Sequence, residues 1–294
     1  MSSDSVTIAS PQLSAEIAPL GAELQALRDA EGRDLLWNGD PAFWTGRAPI
    51  LFPTVGTLPD DRYRLGDKTY TLPRHGFARH KTFEVAERGA DRATFRLEAD
   101  AETRAVYPFE FRLDLVFAIE GARLAMTGVL TNTGEEPLPA GFGFHPAFRW
   151  PLPCGEPRAA HEIVFEADEP APIRRLGRNS LVSPEPVSTP VRGRVLALED
   201  GLFVNDAIIM TDPVSRHLTY GAPNGPRLAI DYADFPQLGI WTKPGAGYVC
   251  IEPWQSFATY SDFSGELWDK PGIVRLEPGE RRRWTMGVAL EGAR

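Results

Sequence analysis

The stretch Phe109-Glu-Phe-Arg-Leu-Asp-Leu-Val-Phe-Ala-Ile119 decides the fold. Every odd position is apolar and most even positions are polar or small, the pattern of a strand with one face buried and one wet. Similar alternation recurs at Thr94 to Glu98, Leu124 to Leu130, Leu228 to Tyr232 and Trp284 to Leu290. Asn132-Thr-Gly134 and Pro223-Asn-Gly225 supply turn chemistry between such segments. Ala22-Glu-Leu-Gln-Ala-Leu-Arg28 consists of good helix formers, yet it also alternates, and it reads as a strand like its neighbours. With 27 glycines and 27 prolines, few windows can hold a helix of ten residues, so helices should be few, short and peripheral. Ser183 to Pro190, with three prolines, reads as a surface loop. Many strands without a helical layer must bury their apolar faces on one another. The expectation is an all-β fold, a large antiparallel sandwich.

The rest of the composition bounds the function. Hydrophobic residues at 43% and charged residues at 24% are ordinary globular values and oppose disorder. A chain of 294 residues could hold two domains, but no linker interrupts it, and a single domain over 1–294 is expected. The net charge of -9 works against a nucleic-acid surface, though not against a small anionic ligand held by local arginines. Two cysteines, Cys154 and Cys250, are too few for a disulfide scaffold or zinc site and are expected as free thiols in a reduced compartment. No secretory leader and no apolar run of about 18 residues is present, so a cytoplasmic protein without membrane contact is expected, as monomer or homodimer.

Two apolar stretches each carry one proton-active side chain: Gly141-Phe-Gly-Phe-His145-Pro146 and Tyr248-Val-Cys-Ile-Glu252-Pro253-Trp254. On extended backbone His145 shares a face with Gly141 and Gly143, which leaves room beside it, while Phe142 and Phe144 point away. Glu252 shares a face with Tyr248 and Cys250, opposite Val249 and Ile251. An acid and a base beside an open apolar surface make a candidate site for proton transfer. A neighbouring carboxylate such as Glu252 should help keep His145 charged at neutral pH. Phe52, Phe77, Phe148, Trp241 and Trp254 lie near these segments, and aromatic faces in a wet cleft suit the C–H faces of sugars. Asp206 reads either as a ligand for hydroxyls or as a turn residue capping its own backbone, and Arg47 either as a ligand or as a solvated surface residue. His80, His161 and His217 sit among polar neighbours and are expected to be exposed; Asp231 and Asp234 read as loop residues.

Other chemistries leave signatures that this sequence lacks. It contains no His-Glu-x-x-His, no Cys-x-x-Cys, no Gly-x-Ser-x-Gly elbow and no phosphate-cradling Gly-x-x-x-x-Gly-Lys. Neither a metal nor a cofactor is expected.

Five segments, in order, carry a family resemblance: Arg47-Ala-Pro-Ile-Leu-Phe-Pro-Thr-Val-Gly56, Arg74-His75-Gly-Phe-Ala-Arg79, Gly143-Phe-His145-Pro-Ala-Phe148, Phe203-Val-Asn-Asp206 and Cys250-Ile-Glu252-Pro-Trp254. Together they resemble the successive motifs of aldose 1-epimerases, in particular their bacterial LacX-like branch, from about Leu20 to about Leu290. The resemblance implies a galactose-mutarotase-like β-sandwich that interconverts α and β anomers of an aldose. It implies Glu252 as general base and His145 as general acid. It further implies His75, Arg47 and Asp206 as substrate-binding residues. Around Arg47 the sequence departs from the galactose mutarotases, which leaves sugar preference open. His75 is expected to orient sugar rather than transfer a proton, because Arg74 and Arg79 nearby disfavour its charged form. Arg47, Arg74 and Arg79 as a cluster would instead grip the phosphate of a hexose 6-phosphate. Two further alternatives are a sugar-binding protein without turnover and a glycosidase using Glu252 with Asp206.

Overall fold

The computed structural model describes residues 5–153 and 155–292; Cys154 lies outside them. The predicted strand is present as Phe111–Glu120, the seventh in spatial order of a nine-stranded antiparallel sheet. It pairs with Arg123–Asn132 on one side and Arg92–Glu98 on the other, and Arg123–Asn132 pairs in turn with Arg281–Glu291. The alternating segments read from the sequence at Thr94, Leu124 and Trp284 fall within strands of this sheet, and so does the one at Leu228 except for Tyr232, one residue past its strand's end. Of the Ala22–Arg28 segment, Glu23 onward is extended as expected, in a strand Glu23–Asp29 of a separate three-stranded sheet, while Ala22 is left-handed at φ +44° in the turn before it. The α-helical structure among the described residues is one turn and a half, Ala101–Val106. Asp100 caps it by accepting from Thr103 N–H, while the Thr103 hydroxyl reaches back to Asp100 N–H.

A second antiparallel sheet positions the site. In spatial order its strands are Ile208–Met210, Gln237–Trp241, Tyr248–Gln255, Phe142–Phe144 and Ile50–Leu51; Ala147–Arg149 also pairs with Tyr248–Gln255. Tyr248–Gln255 is buried throughout, which explains why its sequence reads as near-continuous apolar residues rather than as clean alternation. Val249 and Ile251 join the main core with Leu113, Leu115 and Met286 of the nine-stranded sheet, while Tyr248 and Cys250 belong to a smaller cluster with Trp37 and Ala147. The two sheets therefore close on each other as the sandwich that the pattern predicts.

Phe142 keys them together. Its ring stacks on Trp284 with centroids 5.0 Å apart and 17° between planes. A side chain at Gly128 would come within 2.4 Å of the Phe142 ring tip, so glycine is what admits the ring here. Phe142 and Phe144 thus face the core, as their alternation requires, and leave His145 to the opposite surface.

Candidate active site

Strand register brings the acid and the base together. Gly143 lies opposite Trp254 and Ala147 opposite Cys250. Counting inward from both pairs places His145 opposite Glu252. Side chains directly opposite on one face stand about 5 Å apart at Cβ, and here His145 Nε2 and Glu252 Oε2 close to 3.1 Å. His145 is 8% and Glu252 2% exposed. Both line a cavity of about 300 Å³, at the lower end of the range of small-molecule sites.

The room expected beside His145 is filled. A side chain at Gly143 would approach Trp254 Cδ1 to 2.7 Å, and one at Gly239 would approach Trp254 Cη2 to 2.2 Å. The two glycines, on the strands either side of Tyr248–Gln255, make a slot for the Trp254 indole. Trp254 in turn forms part of the cavity wall beside Glu252. On the other side of His145, Trp44 lies 5.0 Å away between ring centroids and Trp241 6.1 Å away. Of the aromatics singled out from the sequence, Trp241 and Trp254 reach the cavity; Phe52, Phe77 and Phe148 are core residues instead. Trp44 was not foreseen, because it sits in a loop without periodicity. Its ring folds over Gly46, where a side chain would meet it at 2.4 Å.

His75 lies across the cavity, its ring 5.8 Å from that of His145. Its backbone is left-handed, φ +67°, and its amide donates to Gly56 O. Gly76 follows in the same region at φ +72°, pressed against Phe52 O, where any Cβ would fall 2.2 Å away. Gly56 N–H donates to His75 Nδ1, and Arg74 Nε lies 3.1 Å from Nε2. Two donors facing the ring exclude the imidazolium, which has no acceptor. Burial first, then Arg74, lowers the His75 pKa well below its ordinary value, the direction expected from its neighbours.

The expectation that Glu252 keeps His145 charged is overturned. Burial pulls the His145 pKa down to about 3, its own backbone carbonyl opposes this, and Arg74 and Arg79 push further down. Burial likewise raises Glu252 well above the carboxylate range, against the pull of Arg74 and of the Trp254 indole. Desolvation favours the uncharged member of each couple. In the free cavity burial thus opposes both an imidazolium at His145 and a carboxylate at Glu252. His145 Nδ1 is buried without a hydrogen-bond partner, while Glu252 Oε2 and Trp254 Nε1 have neighbours close by that lie off the line a hydrogen bond needs. Orphaned polar atoms at one spot are costly unless a ligand satisfies them.

Asp206 takes the turn reading and also stands on the cavity wall. Its backbone is left-handed at φ +65°, its Oδ1 accepts from Ala207 N–H at 2.7 Å, and it lines the cavity. Arg175, which the sequence did not single out, holds this turn by donating to Asp206 O at 2.8 Å. Arg74 and Arg79 also line the cavity, and Arg79 Nη2 donates to Arg74 O. Arg47 does not line it. Its guanidinium donates to Gln25 O at 2.6 Å, and the amides of Arg47 and Ala48 donate to Glu23 Oε1. The nearby carbonyl captures a side chain that the motif alone had directed to substrate. Outside the site, His161 is buried rather than exposed, its Nε2 accepting from Leu152 N–H, and His217 is half-buried against Asp231. Asp231 ends a strand, while Asp234 follows it in a loop and accepts from Thr285 N–H.

Behind the wall, Lys270 is almost fully buried. Its Nζ donates to Ser256 Oγ at 2.9 Å and to Phe257 O. Among the described residues no carboxylate lies within ion-pair distance of it. Burial lowers its pKa to about 7. The segment that it holds runs on to Ala258, which packs on Gly56 so closely that a Cβ there would sit 2.4 Å away.

The sequence matches the family model described as aldose 1-epimerase over residues 4–289. The chain belongs to that family. Two LacX proteins of Lactococcus lactis, one chromosomal and one plasmid-borne, are each 30% identical over 288 residues, spanning 95% of this chain and 96% of theirs. Among solved structures, a galactose mutarotase-like protein from Lactobacillus casei superposes with a TM-score of 0.91 at 29% identity, covering 98% of this chain and 100% of that one. A galactose mutarotase related enzyme from Lactobacillus acidophilus gives 0.87 at 29% identity, covering 98% of each. Among the described residues of this aldose 1-epimerase family member, no helix is long and apolar enough to cross a membrane.

Proposed function

We propose that this protein interconverts the α and β anomers of an aldose by opening and reclosing the sugar ring, using only side chains. The observation that carries the reading is the contact of His145 Nε2 with Glu252 Oε2 at 3.1 Å, buried in an aromatic-walled cavity. Opening a cyclic hemiacetal removes the proton from the C1 hydroxyl, breaks the bond from C1 to the ring oxygen, and places a proton on that oxygen. Rotation about C1–C2 and the reverse transfers close the ring from the other face. The two oxygens share one carbon, and the two catalytic groups share one proton. One of the pair accepts while the other donates, and the pair regains its starting charge on closure. The family resemblance gives acceptance to Glu252 and donation to His145, which calls for the proton to reside on His145 when sugar is bound. His75, Asp206 and the faces of Trp44, Trp241 and Trp254 are the groups available to hold the sugar. Each proton-transfer group is worth about 10²- to 10⁴-fold. His145→Asn and Glu252→Gln should each slow mutarotation of fresh α-glucose or α-galactose by at least about a hundredfold in polarimetry. A full rate in either variant removes that residue from the reaction, and buffer-rate exchange with tight sugar binding by the intact protein points to a binding protein instead.

A second reading is favoured by the arginines. Arg74 and Arg79 line the cavity, and neither forms an ion pair among the described residues. Burial followed by Arg74 lowers the Arg79 pKa, with only Glu23 acting against them. Two guanidiniums without counter-charges suit a substrate that brings its own anion, such as a hexose 6-phosphate. Exchange rates on glucose and glucose 6-phosphate, with Arg79→Met as the control, distinguish the two substrates. On the phosphate reading the variant loses only the preference for the phosphorylated sugar.

A further inference from the structure

Cys250 lies on the same face of its strand as Glu252, two residues away, and faces the same small cluster as Trp241. It is a free thiol and fully buried. One ligand atom each from His145, Cys250 and Glu252 lies within 4.8 Å of the other two. We propose that these three side chains form a binding site for a borderline-soft divalent cation of the zinc class, and that its occupation blocks the cavity to sugar.

The donor set argues for that class of ion. Thiolate, imidazole and a single carboxylate suit zinc or cobalt(II), whereas magnesium and calcium take oxygen ligands in larger number. The spacing argues for it as well. With metal bonds of about 2.0–2.3 Å, the edges of a tetrahedron are a little over 3 Å, and the His145–Glu252 edge is already 3.1 Å. Only the Cys250 sulfur has to move inward. Glu252 Oε2, buried without a hydrogen-bond partner, is the atom that gains most. On binding, the Cys250 S–H bond and the Glu252 carboxyl O–H bond break, both protons pass to solvent, and the freed lone pairs of the sulfur and of Oε2 go to the metal; nothing is oxidised or reduced. Three protein ligands leave a fourth position, facing the cavity that sugar would enter.

The binding part of this proposal stands without any catalytic assignment; the inhibition part rests on the proposed mutarotase activity. The test is titration of the full-length protein with cobalt(II), read by the near-ultraviolet thiolate-to-cobalt absorption, beside titration with zinc(II) read by polarimetry. The expected result is one equivalent bound with the thiolate band, retained in Cys154→Ser and lost in Cys250→Ser. Zinc affinity should fall at least about tenfold in Cys250→Ser and in His145→Asn, since even outer-shell changes cost 10- to 100-fold. Zinc should also abolish mutarotation reversibly on chelation. No band in the unaltered protein overturns the site, as does a band that survives Cys250→Ser or follows Cys154→Ser. Cys250→Ala, checked for native circular dichroism, repeats the test if the serine variant does not fold. A thiolate band without any mutarotation sinks the catalytic reading and leaves the metal site standing.

Discussion

Replacing Lys270 by methionine should change how stability depends on pH. The buried ammonium has two hydrogen bonds and no counter-charge, and its pKa falls from 10.5 to about 7. That difference corresponds to roughly 5 kcal/mol of preference for the uncharged amine inside the protein. The sign follows from proton counting. Between about pH 7 and 10.5 the unfolded chain holds the lysine proton and the folded one does not, so stability rises with pH across that window. Below about pH 7 both states are protonated and the whole penalty is present. Relative to Lys270→Met, the unaltered protein should gain roughly 3–4 kcal/mol between pH 7 and pH 10, at no more than about 1.4 kcal/mol per unit. Urea unfolding followed by tryptophan fluorescence at half-unit pH steps measures both proteins, and groups common to both cancel in the difference. Parallel stability curves, with a gap constant to within about 0.5 kcal/mol, would refute the argument that this lysine sheds its charge through burial.

Two substitutions probe the cavity wall and its surroundings. Gly239→Ala places a methyl group 2.2 Å from the Trp254 ring; it should cost about 1–3 kcal/mol by overpacking. It should also slow mutarotation by displacing the indole beside Glu252, and a variant with native stability and rate would show that the slot is loose. Arg47→Met should lower the midpoint of thermal unfolding, because the guanidinium ties a loop to Gln25 O, while the KM for sugar stays unchanged. A raised KM would return Arg47 to the substrate.

What could be read from the sequence was whatever depends on local periodicity. Phe109 to Ile119 gave its strand because the alternation is carried by every residue, and Glu252 with Cys250 on one face follows from the same period. Register is not a local property. Nothing in either apolar stretch announces that Gly143 pairs with Trp254, and without that pairing the glycines beside His145 suggested open space instead of a slot for an indole. The surroundings of Arg47 and His161 were hidden for a related reason: each bonds a backbone group that its own segment does not announce, Gln25 O for one and Leu152 N–H for the other. Trp44 and Arg175 come from loops where no period exists to mark them. The charge state of His145 went wrong because a partner carboxylate is visible in sequence, whereas full desolvation of both partners is visible only after folding.

His145 sits in the two-residue gap between Phe142–Phe144 and Ala147–Arg149, both of which pair with the strand that carries Glu252, so ladder contacts on either side of the gap hold its separation from Glu252. A one-residue slip of either strand would turn one of the two side chains toward the hydrophobic interior. Any lesion that disturbs this pairing should therefore separate the two side chains before the protein visibly unravels, while insertions in the loops around Asp206 and Trp44 can reshape the cavity without touching the pair.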